Sequence, residues 1–213
     1  MNPKLSAMAL ACTLLLAGCT APQEEPWMPN GEAIDNTIVE DFTLLTSENT
    51  SWTYSDRAAN TTLAVAFLFT NCLDICPVVT YNMKWVKSQL TDEELNKTTF
   101  LTVTVDPWRD NVTVLHEWKT GTGSEWAHLT VSNNDTNAGP MQRLQNVWLN
   151  FGVGLTIEEP NSGDARHHPD DYTVNHETGT VLVDRFGQQR VWWGDNDWVV
   201  DLFLEDLRYL HTL

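Results

Sequence analysis

Cysteine is scarce in this chain, with 4 in 213 residues, and two of those, Cys12 and Cys19, fall in or beside an N-terminal apolar stretch. A fold held together by a network of disulfides is thereby excluded, which leaves Cys72 and Cys76 as one local pair. Basic residues are also few: 12 Lys and Arg stand against 29 Asp and Glu, for a formal charge of −17. A nucleic-acid surface needs clustered cations to displace counterions from phosphates, so that class of partner is excluded. The acidity reads first as a solvating surface. No uninterrupted apolar run approaches the roughly 20 residues that span a bilayer, and no internal repeat marks a solenoid.

What is present divides into three parts. Residues 1–19 have Lys4 in a short basic region, an apolar stretch from Leu5 to Ala17 broken by Ser6 and Thr13, and then Leu16-Ala17-Gly18-Cys19. This is the layout of a targeting segment. Small residues before a cysteine resemble the lipobox of prokaryotic lipoproteins, which makes Cys19 the expected lipid anchor and Cys12 part of a discarded leader. An ordinary cleaved signal peptide and an uncleaved anchor are the alternatives. Residues 20–37 are rich in Pro and Glu without apolar periodicity and read as a flexible tether. The length and 42% hydrophobic content suit one domain over residues 38–213. Sequons at Asn49, Asn60, Asn96, Asn111 and Asn134 are weak support for export.

Within the domain, IVEDFTLLTS and Trp52 to Tyr54 predict a pair of short strands. LAVAFLF, residues 63–69, is a short unbroken apolar run of the kind buried on both faces of a sheet, and it leads directly to Cys72. After Pro77, the residues Val79, Met83, Val86 and Leu90 recur on one helical face. A second buried strand is expected over 98–107, a helix from Asn111 to Lys119, a third strand over 127–131 and a helix over 138–151. A long polar loop from Gly154 to Asp171 follows. A hairpin turning at Phe186-Gly187 and an amphipathic helix through Val200, Phe203, Leu207 and Leu210 close the chain. Strands alternating with helices predict an α/β fold with a mixed sheet.

Cys72 and Cys76 sit at a strand-to-helix junction, four residues apart. On a helix that spacing brings side chains to about 5–6 Å on one face, close enough to share a metal or, with adjustment, to form a disulfide. A helix N-terminus favours the thiolate, and the expectation attaches to the cysteine nearest Pro77, Cys76. A bridge across so short a loop stabilises little, so a purely structural disulfide is the weaker explanation. Two thiolates suit Cu(I) or zinc but do not complete a site. His116 and His211 fall in expected helices, His128 opens a strand, and His167 and His168 lie in the polar loop. His176, in YTVNH, stands where a loop can bring it across the sheet end toward the cysteines.

These residues together resemble the Sco/SenC family of copper-binding proteins that serve cytochrome oxidase assembly. The resemblance is carried by FLFTNCLDICP (67–77), TVTVDPWRD (102–110), DYTVNH (171–176) with TVLVD (180–184), and the closing helix. It implies a thioredoxin-like fold with an N-terminal strand pair and a central mixed sheet flanked by helices. It also implies copper, as Cu(I) or Cu(II), held by Cys72, Cys76 and His176. Asp74 matches an acidic position between the cysteines, and Asp106 and Arg109 match the D-P-x-R-D stretch, where capping helices and fixing the strand end is the role expected of them. Leu73 stands where Pro is usual and Asn175 where Asp is usual.

The implied function is a metallochaperone on the extracytoplasmic face of the cytoplasmic membrane, anchored through Cys19. Its expected partners are the copper-site subunit of cytochrome c oxidase and another copper donor protein. The alternative is a thiol-disulfide oxidoreductase that uses Cys72 and Cys76 as a redox pair to reduce the oxidase's copper-site cysteines, and the two roles are compatible. A peroxiredoxin-type peroxidase is disfavoured, because Leu73 occupies the place of the Thr three residues before a peroxidatic cysteine.

Overall fold

The computed structural model describes residues 27–35, 37–158, 172–176, 179–194 and 198–213. The proposed leader with Cys12 and Cys19, the first part of the proposed tether, and His167 and His168 lie outside them. The elements in chain order are β1 (Glu32–Ala33), β2 (Thr43–Thr46), β3 (Ser51–Thr53), α1 (Tyr54–Arg57), β4 (Thr62–Leu68), α2 (Ile75–Gln89), α3 (Asp92–Asn96) and β5 (Thr98–Thr104). They continue with α4 (Val112–Thr122), β6 (Ala127–Thr130), α5 (Gly139–Asn150), β7 (Leu155–Glu158), β8 (Thr173–His176), β9 (Gly179–Val183), β10 (Gln189–Gly194) and α6 (Val200–Leu210).

β4 is the centre of the main sheet because both of its faces are apolar. Leu63, Val65 and Phe67 point to one side, where Met141, Leu144, Val147 and Trp148 of α5 cover them. Ala64, Ala66 and Leu68 point to the other, beneath Val79, Met83 and Val86 of α2 and Phe203, Leu207 and Leu210 of α6. Period-two alternation therefore feeds two cores from one strand, each large side chain contributing about 1.5–3 kcal/mol on burial. The sheet order is β1-β10-β9-β4-β5-β6-β2-β3. β4 pairs in parallel with β5 and β5 with β6, while the remaining pairs are antiparallel. The expected mixed sheet flanked by helices is thus the observed fold, with the N-terminal pair β2–β3 at one edge.

Two departures bear on the site. Part of the stretch expected to be tether is built into the fold: Glu32 and Ala33 pair with Trp192 and Val191, and Trp27 stacks on Tyr209 with ring centroids 4.3 Å apart. The cause is Asp206, a buried carboxylate on α6 that accepts the backbone N–H groups of Asn30 at 2.9 Å and Gly31 at 3.0 Å. In addition, the expected loop after Gly154 opens with a strand. β7 pairs antiparallel with β8, Leu155 opposite His176, as a two-stranded ribbon separate from the main sheet.

Candidate metal centre

β4 ends at Leu68, and the chain turns through Phe69 to Asp74 before α2 begins at Ile75. Helix α2 therefore starts ahead of Pro77, which occupies its first turn, where a missing N–H leaves no bond unmade. Cys72 lies in the turn and Cys76 inside the helix. The sulfur of Cys72 receives the backbone N–H of Cys76 at 3.4 Å and so fills the place of a helix cap. Asp74 sits at the N-cap position, but its side chain makes no cap hydrogen bond, contrary to the capping role expected of it.

Both cysteines stand as thiols. Cys76 is buried at 1% exposure, whereas Cys72 is half-buried and reachable. The Cys72 thiol is lowered from its usual 9.0 to about 5, chiefly because the Cys76 thiol donates to it. Burial opposes that effect, and the backbone N–H groups of Cys76, Asp74 and Ile75 add to the lowering. The thiol lowered at the helix start is therefore that of Cys72, the cysteine just outside the helix. Its sulfur lies over the helix end, where it feels the N–H groups of the first turn.

His176 ends β8. Along this strand Tyr172, Val174 and His176 alternate inward, and Thr173 and Asn175 are exposed. Its ring meets Phe69 edge-on, centroids 5.5 Å apart, and Phe69 in turn accepts the backbone N–H of Cys72 at 3.3 Å. The structure thus joins Cys72 and Cys76 directly and sets His176 at the same end of β4. Among the described residues, no three His, Cys, Asp or Glu side chains stand close enough to hold one metal ion. Asn175, on the outward face of its strand, does not share the face of His176.

The other described histidines are accounted for elsewhere. His128 is buried, bonded to the Ser124 hydroxyl at 2.8 Å, and burial lowers its pKa to about 4. His211 is bonded to Thr98 Oγ1 at 2.9 Å, and burial lowers its pKa too. His116 is exposed on α4.

Asp106 and Arg109 form an ion pair in which Asp106 is fully buried, so they fix the end of β5 as expected. Sequence reasoning gave no role to three neighbours: Phe69, which carries the His176 ring; Thr70, held by Asp110; and Tyr172, whose hydroxyl donates to Asp106. The Y-x-V-x-H alternation was the available signal for Tyr172, since a strand period puts it on the face of His176.

A reduced thiol pair at a β4–α2 junction, one member of it with a lowered pKa, on this sheet defines a thioredoxin-like protein. The SCO1/SenC family profile matches residues 30–202, and the chain belongs to that family. Among solved structures it is similar to Bradyrhizobium japonicum ScoI with copper bound, at 18% identity and a TM-score of 0.64, covering 81% of this chain and 99% of that one. A SCO1/SenC family lipoprotein from Bacillus anthracis is 20% identical, with a TM-score of 0.65 and coverage of 84% and 98%. BsSco, a Sco family member with a disulfide switch and one of the cytochrome c oxidase assembly proteins, is 20% identical, with a TM-score of 0.61 and coverage of 87% and 98%. No curated protein matches the sequence. No helix among the described residues is long and apolar enough to cross a membrane.

Proposed function

We propose that this chain is a copper metallochaperone, held at the extracytoplasmic face of the membrane through Cys19, that delivers copper to the binuclear copper centre of cytochrome c oxidase. The observation that carries the reading is the low-pKa Cys72 paired with Cys76, with His176 held against Phe69 at the same sheet end. Two sulfurs are a donor set for Cu(I), and an imidazole nitrogen extends it toward Cu(II). His176 would complete the set by closing on the pair. Unequal exposure orders the transfer: an acceptor cysteine reaches Cys72 first, and buried Cys76 is exchanged last. Family membership, the copper-bound relative and the oxidase-assembly relative support copper and the oxidase; the lipoprotein relative supports the anchor.

The low pKa of Cys72 also favours a second reading, thiol-disulfide exchange. The Cys72 thiolate would attack a target disulfide, forming a mixed disulfide and releasing one target thiolate. Cys76, deprotonated in turn, would attack the Cys72 sulfur, release the second target thiolate and leave a Cys72–Cys76 disulfide, so that two electrons pass to the target. The test is to mix the anaerobic Cu(I)-loaded chain with the reduced, metal-free copper domain of the oxidase, separate the two proteins and measure the copper each then holds. Metal transfer is expected from the native chain and not from Cys72→Ser. Absence of transfer, with reduction of the oxidised copper domain by the metal-free chain, would replace the first reading by the second.

A further inference from the structure

The turn between β5 and α4 carries two carboxylates, Asp106 and Asp110, both fully withdrawn from solvent. A carboxylate in such a place is tolerated only when its oxygens are engaged, and here they reach to opposite sides. Asp106 accepts from Arg109 Nε and from the Tyr172 hydroxyl. Arg109 also donates through Nη1 to the Tyr172 carbonyl at 3.3 Å and lies 4.0 Å from the Tyr172 ring centroid. Side chain and backbone of Tyr172 are therefore held by one turn. On the other side, Asp110 accepts the Thr70 N–H at 3.1 Å and its hydroxyl at 2.6 Å, two residues before Cys72. Thr104 ties the two together, donating to Asp110 at 2.6 Å and accepting the Asp106 N–H at 2.9 Å.

This fastening matters because β7–β8 is a two-stranded ribbon outside the main sheet, and such ribbons are marginal alone. Three of the four β7 residues are exposed, so β7 adds little burial to hold the ribbon. Its placement rests on the inward face of β8, where Val174 enters the core and Tyr172 and His176 flank it. We infer that Tyr172, gripped by Asp106 and Arg109, is a positioning residue for His176, referencing the histidine to the same turn that holds the cysteine loop through Asp110 and Thr70. The inference rests on the reading of His176 as a copper ligand. It gives the Asp106–Arg109 pair a purpose beyond ending a strand: the pair acts through Tyr172 on the imidazole.

Tyr172→Phe in the full chain is the test, because it removes one hydroxyl and keeps the ring that Arg109 and Trp108 contact. Loss of such a supporting partner costs on the order of 10-fold in metal affinity. Copper affinity of Tyr172→Phe, read by competition with a chromophoric chelator, is expected to fall by about that factor, and the Cu(II)-thiolate absorption to shift. In Tyr172→Phe/His176→Ala the further loss beyond His176→Ala is expected to vanish. In the metal-free protein, the nuclear Overhauser contact between the Phe69 and His176 rings is expected to weaken. A tyrosine that only stabilises the fold would lower the melting temperature and leave affinity, spectrum and ring contact at native values; that result overturns the inference. Native copper binding by His176→Ala would instead overturn the ligand assignment. The ring contact in metal-free Tyr172→Phe, weakened or intact, would then still decide whether the hydroxyl positions the histidine.

Discussion

Asp110 makes stability depend on pH in a direction opposite to most carboxylates. Burial, with the Asp106 charge adding to it, raises its pKa from 3.8 to about 6, against the Thr104 and Thr70 hydrogen bonds that favour the anion. Arg109 is engaged with Asp106 and does not reverse this. Below pH 3.8 the folded and unfolded states both hold the proton; between 3.8 and about 6 only the folded state does. Stability is therefore lost as pH rises through that window, and above it both states are ionised and the loss is complete. A shift of about two units corresponds to roughly 3 kcal/mol. Asp110→Asn cannot titrate, so the perturbation is this substitution, and the assay is urea unfolding of the reduced chain followed by tryptophan fluorescence. Other groups that titrate in the same range cancel in the difference. The unfolding free energy of the native chain minus that of Asp110→Asn is expected to fall by roughly 3 kcal/mol between pH 3.5 and pH 7. A difference that does not change with pH would refute the reasoning from burial, and a rise would show that the threonine bonds dominate.

In the reduced, metal-free chain, alkylation of Cys72 by iodoacetamide is expected to have its midpoint near pH 5, and Cys76→Ala, which removes the main donor, to move that midpoint upward; a native midpoint near 9 contradicts the helix-end geometry. Asp206→Ala strips the buried acceptor from the N–H groups of Asn30, Gly31 and Trp193. The expected cost is on the order of 3 kcal/mol, together with new proteolytic cleavage around residue 30 under native conditions; native stability and resistance would show that Asp206 does not fasten the segment.

The elements that were legible in the sequence are those whose side chains report their surroundings. LAVAFLF is unbroken because β4 feeds two cores, and the periodicity of Val79, Met83, Val86 and Leu90 marks the face that α2 buries. Phe186-Gly187 marks its turn because Gly187 has φ of 81° there. What stayed hidden depends on partners distant in sequence. β1 is two exposed residues paired to β10, and nothing in Glu32-Ala33 announces that Asp206 will hold the residues before it. β7, mostly exposed, carries too little apolar alternation to stand out from a loop. The thiol pair was legible as chemistry, but the lowering of Cys72 was not: that depends on Cys72 lying just outside the helix and over its end. Likewise Asp106 and Arg109 were visible as a motif, whereas their hold on Tyr172 spans more than sixty residues.

The assignment of copper to Cys72, Cys76 and His176 stands or falls on an anaerobic copper titration of the reduced full chain beside His176→Ala. One copper per chain is expected in the native protein, with a Cu(II)-thiolate absorption that changes and an affinity that falls when the imidazole is removed. If His176→Ala binds Cu(II) with the native spectrum and affinity, the histidine is not a ligand and the site is the thiol pair alone.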